Sequence, residues 1–205
     1  MKPVFYLLAG PNGAGKSTLY KALLAAGKVP ADAEFVNADL YEAEHVQHIA
    51  DLQQRSEAAR LWADQRRADL LAAGKSLVSE TVFSHESKLA LIQEAQAQGF
   101  LVMLLVVCMD HPEKLLARVR QRVGEGGHDV PAERILARYP RSLANLRQAV
   151  RLADAALLHD SGTVQPGTHR LIAACEGGRT QVLHEPQPVW ARQVLGEGAQ
   201  LMTTP

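Results

Sequence analysis

The stretch Gly10-Pro11-Asn12-Gly13-Ala14-Gly15-Lys16-Ser17 meets the pattern G-x-x-x-x-G-K-[ST] at every fixed position. Its flanks agree with it. Val4 to Ala9 is a short apolar run that reads as a strand, and Thr18 to Leu24 restarts with helical spacing. A glycine-rich turn between strand and helix lets successive backbone N–H groups converge on a phosphate, and the helix dipole adds positive potential at the same place. Gly10, Pro11, Asn12, Gly13, Ala14, Gly15, Lys16, Ser17 and Thr18 are therefore the expected nucleotide-binding residues. Among them, Lys16 is expected to reach the β- and γ-phosphates and the Ser17 hydroxyl to hold Mg²⁺. The ligand implied is ATP or GTP with Mg²⁺.

Further along, Glu34 to Asp39 reads as a short strand ending in an exposed acid. The Ala-, Gln-, Arg- and Glu-rich segment from about Glu42 to Ala73 predicts one or two helices, stopped at Gly74. Ser76 to Thr81 is another strand with an acidic end. Ser84 or Ser87 is the expected cap of a helix running to about Gln98, with Gly99 closing it. Phe100 to Met109 is nearly continuous hydrophobe, the pattern of a central parallel strand covered on both faces.

Asp110-His111-Pro112-Glu113 reads as the acidic cap and proline-bearing first turn of the next helix, which ends in Gly124-Glu125-Gly126-Gly127. Asp129-Val130-Pro131 opens another helix, which Pro140 is expected to kink or interrupt. Asp154 to Asp160 is a last core strand, and 169–174 with 179–183 flank Glu176-Gly177-Gly178 as a hairpin. The segment past Pro186 reads as a fraying tail that carries Trp190. Strands alternating with helices imply a parallel sheet with helices on both faces. With the phosphate loop at its first turn, the expected fold is α/β, three-layer, of the P-loop NTPase type. The expectation is one domain over 1–205, with a central mostly parallel sheet. A helical lid at about 112–150 and a small C-terminal hairpin and tail at about 163–205 complete it.

Composition narrows the partners. The 22 basic and 22 acidic residues cancel, so no global field draws nucleic acid or an anionic membrane, and anions must be held by local arrangement. Cys108 and Cys175 both sit in apolar runs and read as small core residues, which suits a reducing compartment. No apolar run reaches the length of a membrane span, and a cytoplasmic location is expected.

In a parallel sheet, ligands sit at the carboxyl ends of the strands, which turns the strand-end acids into candidates. Asp39 is the best-placed general base for a phosphoryl acceptor, with helix capping as its alternative role. Glu80 suits either orienting the acceptor or the surroundings of Mg²⁺. Asp110 reads more simply as the cap of the Pro112 helix, and Asp51, His45 and His48 as surface. Arginines cluster downstream. Arg118 and Arg122 lie one helical turn apart and share a face, and Arg134, Arg138 and Arg141 continue at i, i+4, i+7. A helix pair that closes over a nucleotide and delivers arginines is a lid, and closure expels water.

These residues resemble the zeta toxin kinases. The phosphate loop, Val36-Asn37-Ala38-Asp39, Ser79-Glu80-Thr81 and Arg118 to Arg122 fall in that family's order. The runs Arg122 to Pro131 and Arg138-Tyr139-Pro140-Arg141-Ser142-Leu143-Ala144-Asn145-Leu146 are similar to its small stand-alone branch. The resemblance covers about Val4 to Asp160. It implies transfer of the γ-phosphate of ATP or GTP to a sugar hydroxyl of a UDP-activated amino sugar, UDP-N-acetylglucosamine being the best-known acceptor. It also implies Asp39 as base, Glu80 and Thr81 as acceptor contacts, and Arg118 or Arg122 as the cation on the transferred phosphoryl group. It leaves room for an antitoxin protein as partner. Two departures matter. The larger toxins carry proline where Asn12-Gly13 stands, and His128 falls where their second lid arginine stands, so that His128 is counted with the substrate contacts as a weaker, pH-dependent cation.

Three other readings stay open. Transporter-type ATPases share the loop, but their Leu-Ser-Gly-Gly-Gln signature and Asp-Glu strand end are missing from the sequence. A kinase for another small acceptor, of the gluconate, shikimate or antibiotic type, shares the mechanism. A nucleotide-binding regulator without transfer chemistry is the third.

Overall fold

The computed structural model of the chain describes residues 2–124, 130–162 and 168–196. His128 and most of the glycine-rich break lie outside the described residues.

The phosphate-loop strand forms the middle of the molecule. β1 (Val4–Ala9) pairs in parallel with β3 (Leu77–Thr81) on one side and β4 (Leu101–Cys108) on the other. β2 (Glu34–Val36) adds to β3, and β5 (Ala155–Asp160) adds to β4, both parallel. The hairpin read from Glu176-Gly177-Gly178 is present as β6 (Arg170–Glu176) and β7 (Arg179–Val182). It is not an appendage, because β6 pairs antiparallel with β5 and extends the same sheet to the order β2-β3-β1-β4-β5-β6-β7.

Helices cover both faces. They are α1 (Lys16–Ala25), α2 (Ala38–His45), α3 (Leu52–Ala72), α4 (Ser87–Ala97), α5 (Pro112–Gly124), α6 (Ala132–Leu152) and α7 (Val189–Leu195). The near-continuous hydrophobe of β4 is explained by its two buried faces. Val102, Leu104 and Val106 enter one apolar cluster with Phe5, Leu7, Phe83, Ile92, Leu146 and Trp190. Leu105 and Val107 enter the other with Leu8, Leu19, Leu115 and Ile135. Each fully buried leucine contributes about 1.5–3 kcal/mol.

Several local expectations are corrected. Asp110 does not cap the Pro112 helix; its carboxylate accepts the Val189 and Trp190 N–H groups at 3.0 and 2.7 Å, at the start of α7. Up to Leu195 the segment past Pro186 is packed and ends in that helix, since Trp190 is 1% exposed and its indole N–H reaches Asp160 Oδ1 at 3.0 Å. The fraying expected beyond it falls on 197–205, outside the described residues. Neither Ser84 nor Ser87 caps α4; the ring Nδ1 of His85 accepts the Ser87 N–H at 3.1 Å instead. Pro140 does not interrupt α6, which runs through it. The strand before Asp39 stops at Val36, and Asn37 begins a helix.

Candidate functional site

The loop's shape follows from its glycines. A Cβ on Gly10 would stand 2.0 Å from the Val107 carbonyl oxygen, so only glycine lets the chain leave β1 this close to β4. Gly15, at φ +96°, precedes α1 in the left-handed region and aims the helix N-terminus at the turn. Lys16 is buried at 5% exposure, with its ammonium donating to the Pro11 carbonyl at 3.1 Å. The ring of His169 lies against the loop at Gly15 and hydrogen-bonds its backbone. Burial, aided by the Arg118 charge, holds that imidazole below the usual histidine range.

Glu80 joins this cluster. One carboxylate oxygen lies 3.5 Å from the Lys16 ammonium, and the other accepts the Ser17 hydroxyl at 2.9 Å and the Asn37 amide at 3.1 Å. Parallel registry puts it there, because Leu8 pairs with Glu80 across β1 and β3. The placement favours the metal surroundings over acceptor contact, of the two roles that Glu80 could take. Thr81, expected at the acceptor, does not line the cleft. Its carbonyl accepts the Gly10 N–H at 3.3 Å and its hydroxyl the Phe83 N–H at 3.3 Å.

Sequence reasoning passed over Asn37, which does two things. Its Oδ1 accepts the Leu40 N–H at 3.2 Å, capping α2, while its amide holds Glu80. The signal was available, since asparagine before a helix is a favoured cap. The cap places Asp39 in the first turn of α2, exposed and facing a cleft of about 1030 Å³.

That cleft gathers Ser17, Asn37, Asp39, Glu80, Arg122 and Arg134. Its far wall is α2 and α3, where Arg55 is spent on the Ile49 and Gln47 carbonyls and Arg60 on Glu57 and Asp64. The arginines of the expected lid separate. Arg122 of α5 and Arg134 of α6 line the cleft. Arg118, one turn from Arg122, instead donates to the Ser161 carbonyl at 2.7 Å and its hydroxyl at 3.3 Å, beyond β5. Arg138 is half-buried outside the cleft lining.

Among the described residues no three His, Cys, Asp or Glu side chains gather as a metal site. The loop suits Mg²⁺ nonetheless: a hydroxyl and a carboxylate 2.9 Å apart are hard oxygen donors, and Mg²⁺ completes its shell with phosphates and water. No helix is long and apolar enough to cross a membrane, among the described residues.

Similarities to known proteins agree with this architecture. No curated protein matches the sequence. Solved structures do. A chain of the AvrRxo1-ORF1:-ORF2 complex with ATP is 22% identical, with a TM-score of 0.70 over 89% of this chain and 61% of that one. The same complex with sulphate ions gives 21% and 0.72 over 100% of this chain and 66% of that one. This chain thus spans less than two thirds of those relatives. The PezAT chromosomal toxin-antitoxin system of Streptococcus pneumoniae gives 18% and 0.61, over 78% of this chain and 69% of that one. These likenesses show a shared α/β P-loop fold. A family model described as an AAA domain matches residues 6–145, from inside β1 to the middle of α6, and the chain belongs to that family.

Proposed function

We propose that the protein is a kinase that transfers the γ-phosphate of ATP or GTP to a hydroxyl of a small molecule. The acceptor we favour is a UDP-activated amino sugar such as UDP-N-acetylglucosamine. One observation carries the reading: Ser17, Glu80, Asp39, Arg122 and Arg134 open into a single cleft. A hydrolase needs only water beside its nucleotide, whereas a cleft of about 1030 Å³ walled by two further helices has room for a second substrate.

The Ser17 hydroxyl, with the Glu80 carboxylate 2.9 Å away, would hold Mg²⁺, which would supply positive charge to offset that on the transferred group. The chain's own residues do the rest. Gly10 to Thr18 present backbone N–H groups to the phosphates, and Lys16 adds a buried cation among them. Asp39 accepts the proton of the acceptor hydroxyl as that oxygen attacks phosphorus. Arg122, with Arg134 in the lining of the same cleft, stabilises the charge spread over the phosphoryl oxygens. The order of the motifs and the likeness to the PezAT structure favour the zeta-type acceptor, and on the same ground we propose an antitoxin-like protein as partner.

The test is mass spectrometry of the protein with Mg²⁺-ATP and a panel of UDP-sugars, sugar acids and aminoglycosides. A phosphate gained by a UDP-amino sugar, and not with Asp39→Asn, is the expected result. Phosphate on another member keeps the kinase and moves the acceptor. Bound ATP with no phosphorylated product favours the regulator.

A further inference from the structure

The run Arg141-Ser142-Leu143-Ala144-Asn145-Leu146 has no part in the chemistry above, yet two of its polar side chains face inward. Ser142, fully buried, donates its hydroxyl to the Val82 carbonyl at 2.9 Å. Asn145 donates its amide to the Phe83 carbonyl, also at 2.9 Å. These carbonyls belong to the two residues that follow β3, directly after Glu80 and Thr81. Phe83 between them is the one non-glycine residue with a positive φ among the described residues, at +57°, and it is fully buried. Such a conformation costs of order 1–3 kcal/mol and persists where surrounding bonds over-determine it. Here three do: the two from α6, and the Phe83 N–H to Thr81 Oγ1 at 3.3 Å. Thr81 in turn takes the Gly10 N–H with its carbonyl.

We propose that Ser142 and Asn145 are positioning residues that clamp the end of β3, fixing Glu80 against Ser17 and Lys16. The same helix delivers Arg134 to the cleft two turns before Ser142, so the clamp ties the arginine's helix to the carboxylate it must work beside. Pro140 stands between them. It cannot donate to the carbonyl four residues back, yet α6 runs through it as one helix that joins the arginine-bearing and clamping halves. The inference rests on the kinase reading for its catalytic consequence, though not for the clamp.

The test is a double-mutant cycle on phosphate transfer, with Ser142→Ala, Asn145→Ala and their combination built into wild type and into Glu80→Gln. The clamp predicts a loss of turnover of about tenfold or more in wild type, with nucleotide affinity within about threefold. In the Glu80→Gln background the same substitutions should cost less than about twofold. Equal losses in both backgrounds would mean that the two side chains merely support the fold, and would overturn the proposal. The single variants, each removing one bond, serve where the double does not fold. A wild-type protein that binds ATP but phosphorylates nothing defeats the kinase reading instead. Amide hydrogen exchange then judges the clamp: at least tenfold faster exchange at 80–83 with β4 unchanged upholds it, and unchanged exchange at 80–83 overturns it.

Discussion

Glu80 and Ser17, 63 residues apart in sequence, meet at 2.9 Å, with the Glu80 carboxylate accepting from the hydroxyl expected to hold the metal. The same carboxylate sits 3.5 Å from the Lys16 ammonium. Glu80→Gln keeps the shape and removes the charge. A hydrogen bond to a charged group is worth about 1.5–3 kcal/mol, so turnover at subsaturating Mg²⁺ should fall roughly 10- to 100-fold. Titrating Mg²⁺ at fixed ATP checks this, and the variant's midpoint should move to higher metal concentration. An unmoved midpoint would detach Glu80 from the metal.

Asp39 stands in the first turn of α2, where Asn37 already supplies the cap, so its carboxylate is not needed to start the helix. Asp39→Asn should therefore leave thermal stability almost unchanged and nucleotide affinity near that of wild type. Turnover should drop about 10²- to 10⁴-fold, the range for removing a general base. Single-turnover kinetics with labelled ATP separate the two quantities. A variant that loses ATP binding would show a structural role.

Arg118 and Arg122 share a helix face but not their surroundings: Arg118 bonds Ser161, and Arg122 lines the cleft. Arg122→Ala should depress turnover by about 10³-fold or more. Arg118→Ala breaks two bonds to Ser161, each worth about 1 kcal/mol net, and should lower Tm by several degrees while changing turnover less than about tenfold. Burial lowers the Arg118 pKa, yet it remains a cation at any working pH. The reverse pattern of losses would exchange the two roles.

Trp190 tests whether the C-terminal segment is part of the folding unit. It is 1% exposed, packs in the cluster that holds Leu104 and Leu146, and bonds Asp160. Trp190→Ala should cost about 3–5 kcal/mol in urea titration. A loss below about 1 kcal/mol would return the segment to a loosely held tail.

What was legible in the sequence was whatever is decided locally. The phosphate loop, the apolar β4 and the Glu176-Gly177-Gly178 hairpin each carry their signal within about ten residues, and each is found where expected. The parallel sheet followed from the alternation of elements. What was missed depends on distant partners. Asp110 has the composition of a local cap, but it is used by N–H groups 79 and 80 residues away. Ser142 and Asn145 serve carbonyls 60 and 62 residues back, and no periodicity reveals such a bond. The separation of Arg118 from Arg122 had the same origin, because spacing gives a shared helix face but not what lies beside each turn. His169 and Gly15 meet through the sheet extension, which the sequence reading treated as an appendage.

A last prediction concerns His159, on β5 and 5% exposed, whose Nδ1 has no hydrogen-bond partner among the described residues. Burial, with His169 nearby, pushes its pKa down to about 4. The unfolded chain has an ordinary histidine near 6.5. Above about pH 6.5 neither state holds the proton, and His159 takes nothing from stability. Between 6.5 and 4 the unfolded state binds the proton and the native state does not, so stability falls as pH falls. Below about 4 both states are protonated and the loss levels off near 3 kcal/mol, at roughly 1.4 kcal/mol per pH unit. From pH 7 to pH 5 this one group should remove about 2 kcal/mol. His159→Leu abolishes the titration and the orphaned nitrogen together. Urea titrations at pH 7 and pH 5 on both proteins should show the variant losing about 2 kcal/mol less than wild type. Groups remote from His159 titrate alike in both proteins and cancel in that difference, so equal losses would mean that His159 protonates in the native state as readily as in the unfolded one.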